Sequence, residues 1–205
     1  KPWAKILGKP IDQLKVITCH LANGFLITAV DRGRSIDTTM GMSPTGGLMM
    51  GTRSGDLDPS VVTYIAEKTG EHGNEFLRVF NERSGLLGVS GISSDNRDIG
   101  PGASLGNEQA KLAHDMLCYQ IKKYIGGYIA AMNGVAAIVF TGGIGENSGE
   151  VRADVCANMD YLGIKIDEEK NKTRGDFIDL TAEGATVKTF VIATNEELMI
   201  ARDTA

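Results

Sequence analysis

The stretch KVITCHLANGFLITAVDRGRSIDTT, residues 15–39, predicts three consecutive β-strands. Val, Ile, Leu and Thr are concentrated over 15–21 and 25–30, and Asn23-Gly24 between these runs is a strong hairpin signal. We expect a type I′ turn at Asn23-Gly24, and a second reversal leads into a strand over 34–39. The regular structure therefore begins as an antiparallel meander.

Helices alternate with strands after the meander. Gly and Pro interrupt residues 41–59 too often for a regular element, whereas helical spacing of apolar residues predicts helices over 60–69, 73–83 and 107–132. Short apolar runs predict strands over 135–140 and 187–194. Together these elements predict an α/β fold with a mixed sheet flanked by helices.

The composition restricts the classes of partner. The chain of 205 residues has a net charge of −5, so it lacks the basic excess needed to bind nucleic acid or an anionic membrane. No apolar run approaches the length of a transmembrane helix. Cys19, Cys118 and Cys156 are far apart in the sequence and predict reduced thiols of a cytoplasmic protein, not a disulfide framework or a zinc site.

A glycine-rich segment follows the strand over 135–140, in AAIVFTGGIGENSGEVR (136–152). Asn147 and Glu150 fit a capping box at the start of a helix near 148, but one glycine would suffice for the turn before it. The surplus of glycines indicates that a nucleotide or phosphate lies against the backbone there. The segment matches neither the dinucleotide fingerprint GxGxxG nor the P-loop.

Three further side chains are candidates for phosphate chemistry. His20 lies just before the hairpin tip and offers a titratable donor, although a purely structural histidine is the alternative. Arg53 stands in a glycine-rich loop, where it is either a solvated side chain or a guanidinium delivered to a transferring phosphoryl group. Thr194 and Glu197 fit a capping box, and Glu196 is not part of it, so its carboxylate is available to bind Mg²⁺.

Taken together, the segments resemble the acetate kinase (acetokinase) family in order and spacing. They are ITCHLANG, DTTMG, MGTRSGDLDP, SGLLGVSGISSDNRD, VFTGGIGENS, VR and TNEELMIARDT. The resemblance implies a ribonuclease-H-like domain of the superfamily of sugar kinases, Hsp70 and actin. It implies reversible transfer of the ATP γ-phosphoryl group to acetate with Mg²⁺, giving acetyl phosphate and ADP. It also implies that residues 1–205 are the C-terminal, nucleotide-binding half of a cytoplasmic homodimeric enzyme.

The resemblance assigns roles to individual residues. Arg53 corresponds to the arginine that stabilises the transition state, and Glu196 corresponds to a magnesium ligand. The ATP- and phosphate-binding residues that it implies are His20, Leu21, Ala22, Asn23, Gly24, Asp95, Asn96, Arg97, Gly143, Ile144, Gly145, Glu146 and Asn147.

Some residues depart from the family pattern. Ala22 replaces a usual glycine, which predicts strain if the backbone needs a positive φ there. Asn96 replaces a common apolar side chain, which predicts altered adenine packing and nucleotide choice, and Gly46 replaces an acid. The tyrosines and the Gly126-Gly127 notch of the 107–132 helix are expected to contribute to dimerisation.

Two alternative functions remain open from the sequence. One is a propionate kinase of the same family, and the other is a non-catalytic, actin-like nucleotide-binding module. The substrate-gripping groups that the family carries in its other half have no counterpart here. The chain alone is therefore expected to bind nucleotide weakly and to be inactive.

Overall fold

Six strands form one mixed sheet in the computed structural model, which describes residues 2–195, 197, 200, 201 and 204, with side chains from residue 5 onward. The strands are β1 (Lys15–Leu21), β2 (Phe25–Asp31), β3 (Arg34–Thr38), β4 (Ala137–Thr141), β5 (Phe177–Asp179) and β6 (Lys188–Ile192). Their order across the sheet is β3-β2-β1-β4-β6-β5. The meander predicted from residues 15–39 is confirmed, as are the strands predicted over 135–140 and 187–194, whereas β5 was not predicted.

The sheet combines antiparallel and parallel pairing. β1, β2 and β3 pair antiparallel, β1 pairs parallel with β4, and β4 pairs parallel with β6. β5 closes the far edge, antiparallel to β6. A three-stranded meander joined to two parallel strands is the arrangement expected of a ribonuclease-H-like domain. The predicted fold class is therefore confirmed.

Nine α-helices accompany this sheet in the described part of the chain. They are α1 (Pro2–Leu7), α2 (Pro59–Thr69), α3 (Asn74–Glu82), α4 (Gly85–Ser90), α5 (Asn96–Ser104), α6 (Glu108–Met132), α7 (Gly142–Asn147), α8 (Gly149–Cys156) and α9 (Glu168–Asn171). Two short 3-10 turns occur at Ile11–Gln13 and Asp160–Leu162. No described helix is both long enough and apolar enough to cross a bilayer.

The long helix α6 covers one face of the sheet. Its side chains Leu117, Ile121 and Ile125 are completely buried, together with Ile17 and Cys19 on the same face of β1. Each such burial contributes on the order of 1.5–3 kcal/mol. On the opposite face, a smaller apolar cluster is packed from Leu14, Val16, Ala137, Val139 and Phe190. Because both faces are covered, β1 and β4 are apolar throughout much of their length.

The sequence did not predict α4 or α5. Ser84-Gly85, which follows the predicted helix over 73–83, begins α4, where Gly85 adopts a φ of 62° and packs against the backbone of Met50. α5 contains two glycines and a proline that argue locally against a helix, but burial of Ile99 against the core holds it. Tertiary packing therefore overrides local propensity in both segments.

All three cysteines are free and buried, as the sequence predicts. Burial raises the pKa of Cys118 and Cys156 to about 12, and it raises the pKa of Cys19 as well. The thiols are therefore protonated at neutral pH unless a cation displaces the proton.

Candidate nucleotide-binding site

A cleft of about 950 Å³ lies at the carboxyl ends of β1 and β4. These strands run side by side, with His20 opposite Thr141, so the segments that follow them meet at one edge of the sheet. Three sequence-predicted segments line the cleft through His20, Ala22, Asn23, Gly24, Asp95, Asn96, Arg97, Gly143, Ile144 and Asn147. Its volume suits a small-molecule ligand.

The hairpin tip differs from the predicted type I′ turn. Leu21 pairs with Phe25, so the tip consists of Ala22, Asn23 and Gly24, and none of these residues has a positive φ. The expectation of a type I′ turn is therefore wrong. The strain foreseen at Ala22 is absent for the same reason.

Gly24 lies against a neighbouring side chain, and its own backbone angle does not require glycine. A Cβ atom at Gly24 would lie 3.0 Å from Nη1 of Arg53 and 3.7 Å from the methyl of Met40. A side chain at Gly24 would therefore require the end of the Arg53 side chain to shift slightly. The structure therefore places Arg53 directly beside the hairpin.

The loop that carries Arg53 is held by backbone contacts. The amide of Met50 donates to the carbonyl of Arg53, and the Arg53 guanidinium donates from Nη1 to the carbonyl of Pro44 at 3.4 Å. In the described part of the chain, no carboxylate lies within ion-pair distance of this half-buried guanidinium. Its positive charge is therefore available to a ligand.

The three glycines after β4 have different structural roles. Gly142 adopts a φ of 79°, and a Cβ there would lie 2.8 Å from the carbonyl oxygen of Leu21. A Cβ at buried Gly145 would make ordinary contact with the carbonyl of Cys19 at 3.5 Å. A Cβ at exposed Gly143 would meet no atom within 4 Å, and this residue lines the cleft. The fold itself therefore gives no reason for glycine at 143.

The glycine-rich segment is a short helix, α7, and not a turn. Asn147 was predicted to cap the following helix, but its amide donates to the carbonyl of Gly143 at 2.9 Å. Ser148 caps α8 instead, accepting from the amide of Val151. The predicted capping box is therefore wrong by one residue, because α7 continues through Asn147 and the chain bends at Ser148.

Three of the predicted binding residues do not line the cleft. Leu21 and Gly145 are buried, and Glu146 is bound to other parts of the chain. The Glu146 carboxylate accepts from the amide of Gly142 at 2.9 Å and from the amide and hydroxyl of Thr194 at 3.0 and 3.2 Å. Glu146 therefore joins α7 to the segment that follows β6. Glu196 lies outside the described residues.

Asp95 and Arg97 form the exposed side of the cleft. Asp95 caps α5 by accepting from the amide of Arg97, and its carboxylate also accepts from the Arg97 guanidinium at 2.6 Å. These hydrogen bonds from Arg97 hold the pKa of Asp95 below its usual range. Asn96 between them is buried, with its amide 3.5 Å from the Ser148 hydroxyl and its Oδ1 without a partner among the described residues.

Arg152 is a structural residue that sequence reasoning did not single out. Only 1% of it is exposed, and it donates from Nη1 to the carbonyls of Gly145 and Glu146 at 2.9 Å each. It also donates to the side chain and the backbone of Asn171. The only signal in the sequence was its presence in the VR segment of the family resemblance.

The sequence model of the acetokinase family matches residues 1–202. An acetate kinase from Heliobacterium modesticaldum is 56% identical over 203 residues, covering 98% of this chain and 51% of that protein. An acetate kinase from Methanosarcina mazei is 57% identical over 204 residues, covering 100% of this chain and 50% of that protein. The chain therefore spans about half the length of the curated relatives that it matches.

Solved structures agree with this family match. The crystal structure of Porphyromonas gingivalis acetate kinase superposes with a TM-score of 0.95 at 45% identity, covering 99% of this chain and 51% of that one. A propionate kinase from Francisella tularensis superposes with a TM-score of 0.89 at 42% identity, covering 98% and 50% respectively. On the family match, the identities and these superpositions, the chain belongs to the acetokinase family.

Proposed function

We propose that this chain is the C-terminal, nucleotide-binding half of an acetate kinase, which transfers the γ-phosphoryl group of ATP reversibly to acetate. The observation that carries the proposal is the position of Arg53, whose guanidinium has no carboxylate partner in the described chain and passes the bare hairpin tip at Gly24. A fixed cation beside a phosphate-binding hairpin suits a reaction that depends on positioning and on stabilising charge.

The cleft divides into a phosphate end and a nucleoside end in this proposal. His20, the hairpin tip and the open surface at Gly143 contact the phosphates, while Asp95, Asn96 and Arg97 contact the nucleoside. Arg53 stabilises the charge that develops on the transferring phosphoryl group. The side-chain oxygen Oδ1 of Asn96 is buried and has no partner among the described residues, which supports a role for Asn96 in selecting the nucleobase.

The carboxylates at the cleft fit a magnesium ion held mainly by the nucleotide. Glu146 is engaged by Gly142 and Thr194, and Asp95 is engaged by Arg97, whereas Glu150 also lines the cleft. Mg²⁺ in such sites keeps several waters and binds the phosphates with one or two carboxylates. Glu196 is the proposed protein ligand, and Mg²⁺ would neutralise phosphate charge when bound.

We expect the carboxylate substrate to be bound by residues outside this chain. The proposed enzyme is a cytoplasmic homodimer with a second half that closes the cleft. Gly126 and Gly127 on α6 support the dimer, since a Cβ at either position would meet nothing within 4 Å in the described chain. A hollow of about 520 Å³ beside Gly127 is lined by Tyr124 and Tyr128 and leaves room for a neighbouring subunit.

Propionate kinase is the second candidate. The superposition on a propionate kinase at 42% identity supports it, because that structure shares the same fold over 98% of this chain. The two activities differ in the carboxylate pocket, so steady-state assays with both acids distinguish them.

The decisive experiment uses the full-length protein and the 205-residue chain side by side. We expect the full-length protein to form acetyl phosphate from acetate, ATP and Mg²⁺ in a hydroxamate assay, with a lower kcat/KM for propionate. The 205-residue chain should bind ADP weakly by calorimetry and form no acetyl phosphate. A full-length protein that binds ATP but phosphorylates neither acid would support the non-catalytic module instead.

A further inference from the structure

A thiol, an imidazole and a carboxylate converge on the face where α6 packs against α8. His114 and Cys118 lie one turn apart on α6, and Asp154 reaches them from α8. The Nε2 atom of His114 is 2.6 Å from Oδ2 of Asp154 and 3.6 Å from Sγ of Cys118. All three ligand atoms lie within 4.8 Å of one another. We propose that this cluster of His114, Cys118 and Asp154 is a binding site for one borderline-soft divalent cation of the Zn²⁺ class.

The spacing of the donor atoms fits tetrahedral coordination. Zn–S and Zn–N bonds of about 2.3 and 2.0–2.1 Å at a tetrahedral angle place sulfur and nitrogen about 3.6 Å apart. The observed distance between Sγ of Cys118 and Nε2 of His114 has this value. Asp154 must withdraw by less than about 1 Å to reach the corresponding N···O separation. Cys118 follows His114 by one turn, so α6 itself brings the thiol to this nitrogen, and Asp154 from α8 adds the third donor atom.

The donor set selects a class of cation. Thiolate and imidazole together favour Zn²⁺ and chemically similar ions over Mg²⁺ or Ca²⁺, which prefer oxygen. Three protein ligands leave the fourth position of a tetrahedral ion for water. The site is therefore chemically separate from the proposed magnesium site.

The exposure of the three ligands allows an ion to enter. The side chain of His114 is 7% exposed and that of Asp154 is 51% exposed, so the cluster is buried on one side and open to solvent through the carboxylate. Because the side chain of Asp154 is half exposed, it has room to shift onto the ion, while Cys118 and His114 are buried on α6. The cation displaces the thiol proton of Cys118 to solvent and forms the metal–sulfur bond, so one proton leaves for each ion bound.

Nearby charges act in both directions, and Lys111, which pairs with Asp115, opposes a cation at the cluster. Asp115 and Glu150 add negative potential at Cys118, whereas Lys122 opposes it. One feature weakens binding: Nδ1 of His114 is buried without a partner among the described residues, whereas metal-bound histidines usually donate from the second nitrogen. We therefore expect weaker metal binding than at a closed structural zinc site. The test accordingly compares the cobalt affinity of the wild type with that of variants.

The site is distinct from the nucleotide cleft. None of the three ligands lines that cleft, although Glu150, one turn before Asp154 on α8, does line it. Metal binding and nucleotide binding are therefore separately measurable.

The test uses Co²⁺ as a spectroscopic probe on the full-length protein after chelator treatment. We expect a thiolate-to-cobalt charge-transfer band with the visible bands of a four-coordinate ion, and displacement of Co²⁺ by Zn²⁺. Cys118→Ser should abolish the charge-transfer band, and Asp154→Asn should weaken cobalt binding by about tenfold or more. Cys156→Ser is the matched control, because it removes a buried thiol that is not in the cluster, and it should leave the band unchanged.

Each outcome decides the proposal. A wild-type protein without a thiolate band overturns it, as does a band that survives in folded Cys118→Ser. If Cys118→Ser does not fold by circular dichroism, Asp154→Asn carries the test, because its side chain is half exposed. Unchanged cobalt affinity in that variant overturns the proposal. ADP binding measured on the same samples separates a failure of this site from a failure of the nucleotide cleft.

Discussion

Arg152 and Asn171 are joined by two buried hydrogen bonds, from Nε to the side-chain oxygen at 2.8 Å and from Nη2 to the backbone oxygen at 2.9 Å. The Nη1 atom of the same guanidinium reaches the carbonyls of Gly145 and Glu146. Burial lowers the pKa of Arg152, and no carboxylate among the described residues forms an ion pair with it. Neutral oxygens must therefore satisfy the guanidinium, and in doing so they connect α9 to the end of α7.

The first prediction concerns this connection. Asn171→Ala removes the acceptor of Nε and leaves a buried charged donor unsatisfied, and it also removes the bond from the Asn171 amide to the carbonyl of Gly149. We therefore expect a loss of at least about 1.5–3 kcal/mol in the free energy of unfolding. Urea denaturation at constant m-value measures it. Lys172→Ala, which alters only an exposed ion pair with Glu169, should hardly move the midpoint. Equal effects of the two substitutions would mean that the contact with Arg152 contributes nothing.

The second prediction separates two adjacent glycines. Gly143→Ala should leave stability unchanged or raise it by about 0.4–1 kcal/mol, because its backbone is helical and its surroundings are open. The added methyl projects into space that the cleft offers a ligand, so ADP should bind about tenfold more weakly, or ~1.4 kcal/mol. Calorimetry and urea denaturation of the same sample give both values.

Gly142→Ala is the matched control for that experiment. A left-handed backbone costs a residue with Cβ about 1–2 kcal/mol, and the clash with the Leu21 carbonyl adds to it. We therefore expect Gly142→Ala to destabilise the fold. If Gly143→Ala binds ADP as tightly as the wild type, the nucleotide does not pack against the backbone of Gly143.

The third prediction concerns Arg53 in the full-length protein. Because its guanidinium is placed to stabilise developing charge, Arg53→Ala should lower kcat by roughly 10²–10⁴-fold, with a smaller change in nucleotide affinity. Arg78→Ala serves as the control, since Arg78 is exposed on α3 and its ion pairs among the described residues are with Glu75 and Glu82. Normal turnover of Arg53→Ala in steady-state assays would exclude Arg53 from the mechanism.

The fourth prediction is a pH dependence at Asp95. Hydrogen bonds from Arg97 lower the folded-state pKa of Asp95, so its contribution to stability is present above the unfolded pKa of about 3.9. That contribution is lost as the pH falls through the folded value. The stability difference between wild type and Arg97→Met should therefore be present at about pH 7 and disappear in strong acid. We expect the difference to be small, because both side chains are more than one-third exposed.

Urea denaturation across a pH series measures the Asp95 contribution. The capping carboxylates of Asp58 and Asp167, whose pKa values are also lowered, are present in both proteins and cancel in the difference. A difference that stays constant down to strong acid would show that Arg97 acts on stability by another route.

Sequence alone determined the strands of the meander, the long helix α6 and ten of the residues that line the cleft. The reason is local: alternating or helical spacing of apolar residues decides which faces are buried, and Asn-Gly marks the reversal between β1 and β2. The sequence also identified the family, because short motifs in a fixed order can be recognised without knowing which residues are in contact. Local patterns failed at α4 and α5, where packing against α6 holds segments of weak helical propensity.

Only the tertiary structure decided why particular residues stand where they do. Gly24 lies against the Arg53 side chain, and a Cβ atom at Gly142 would clash with the backbone of β1. A Cβ atom at Gly143 would contact no other part of the described chain. The meeting of Cys118 with Asp154 likewise depends on how α6 and α8 pack. Such contacts join segments distant along the chain, and their distances are set by the packing of the whole core and not by any local sequence pattern.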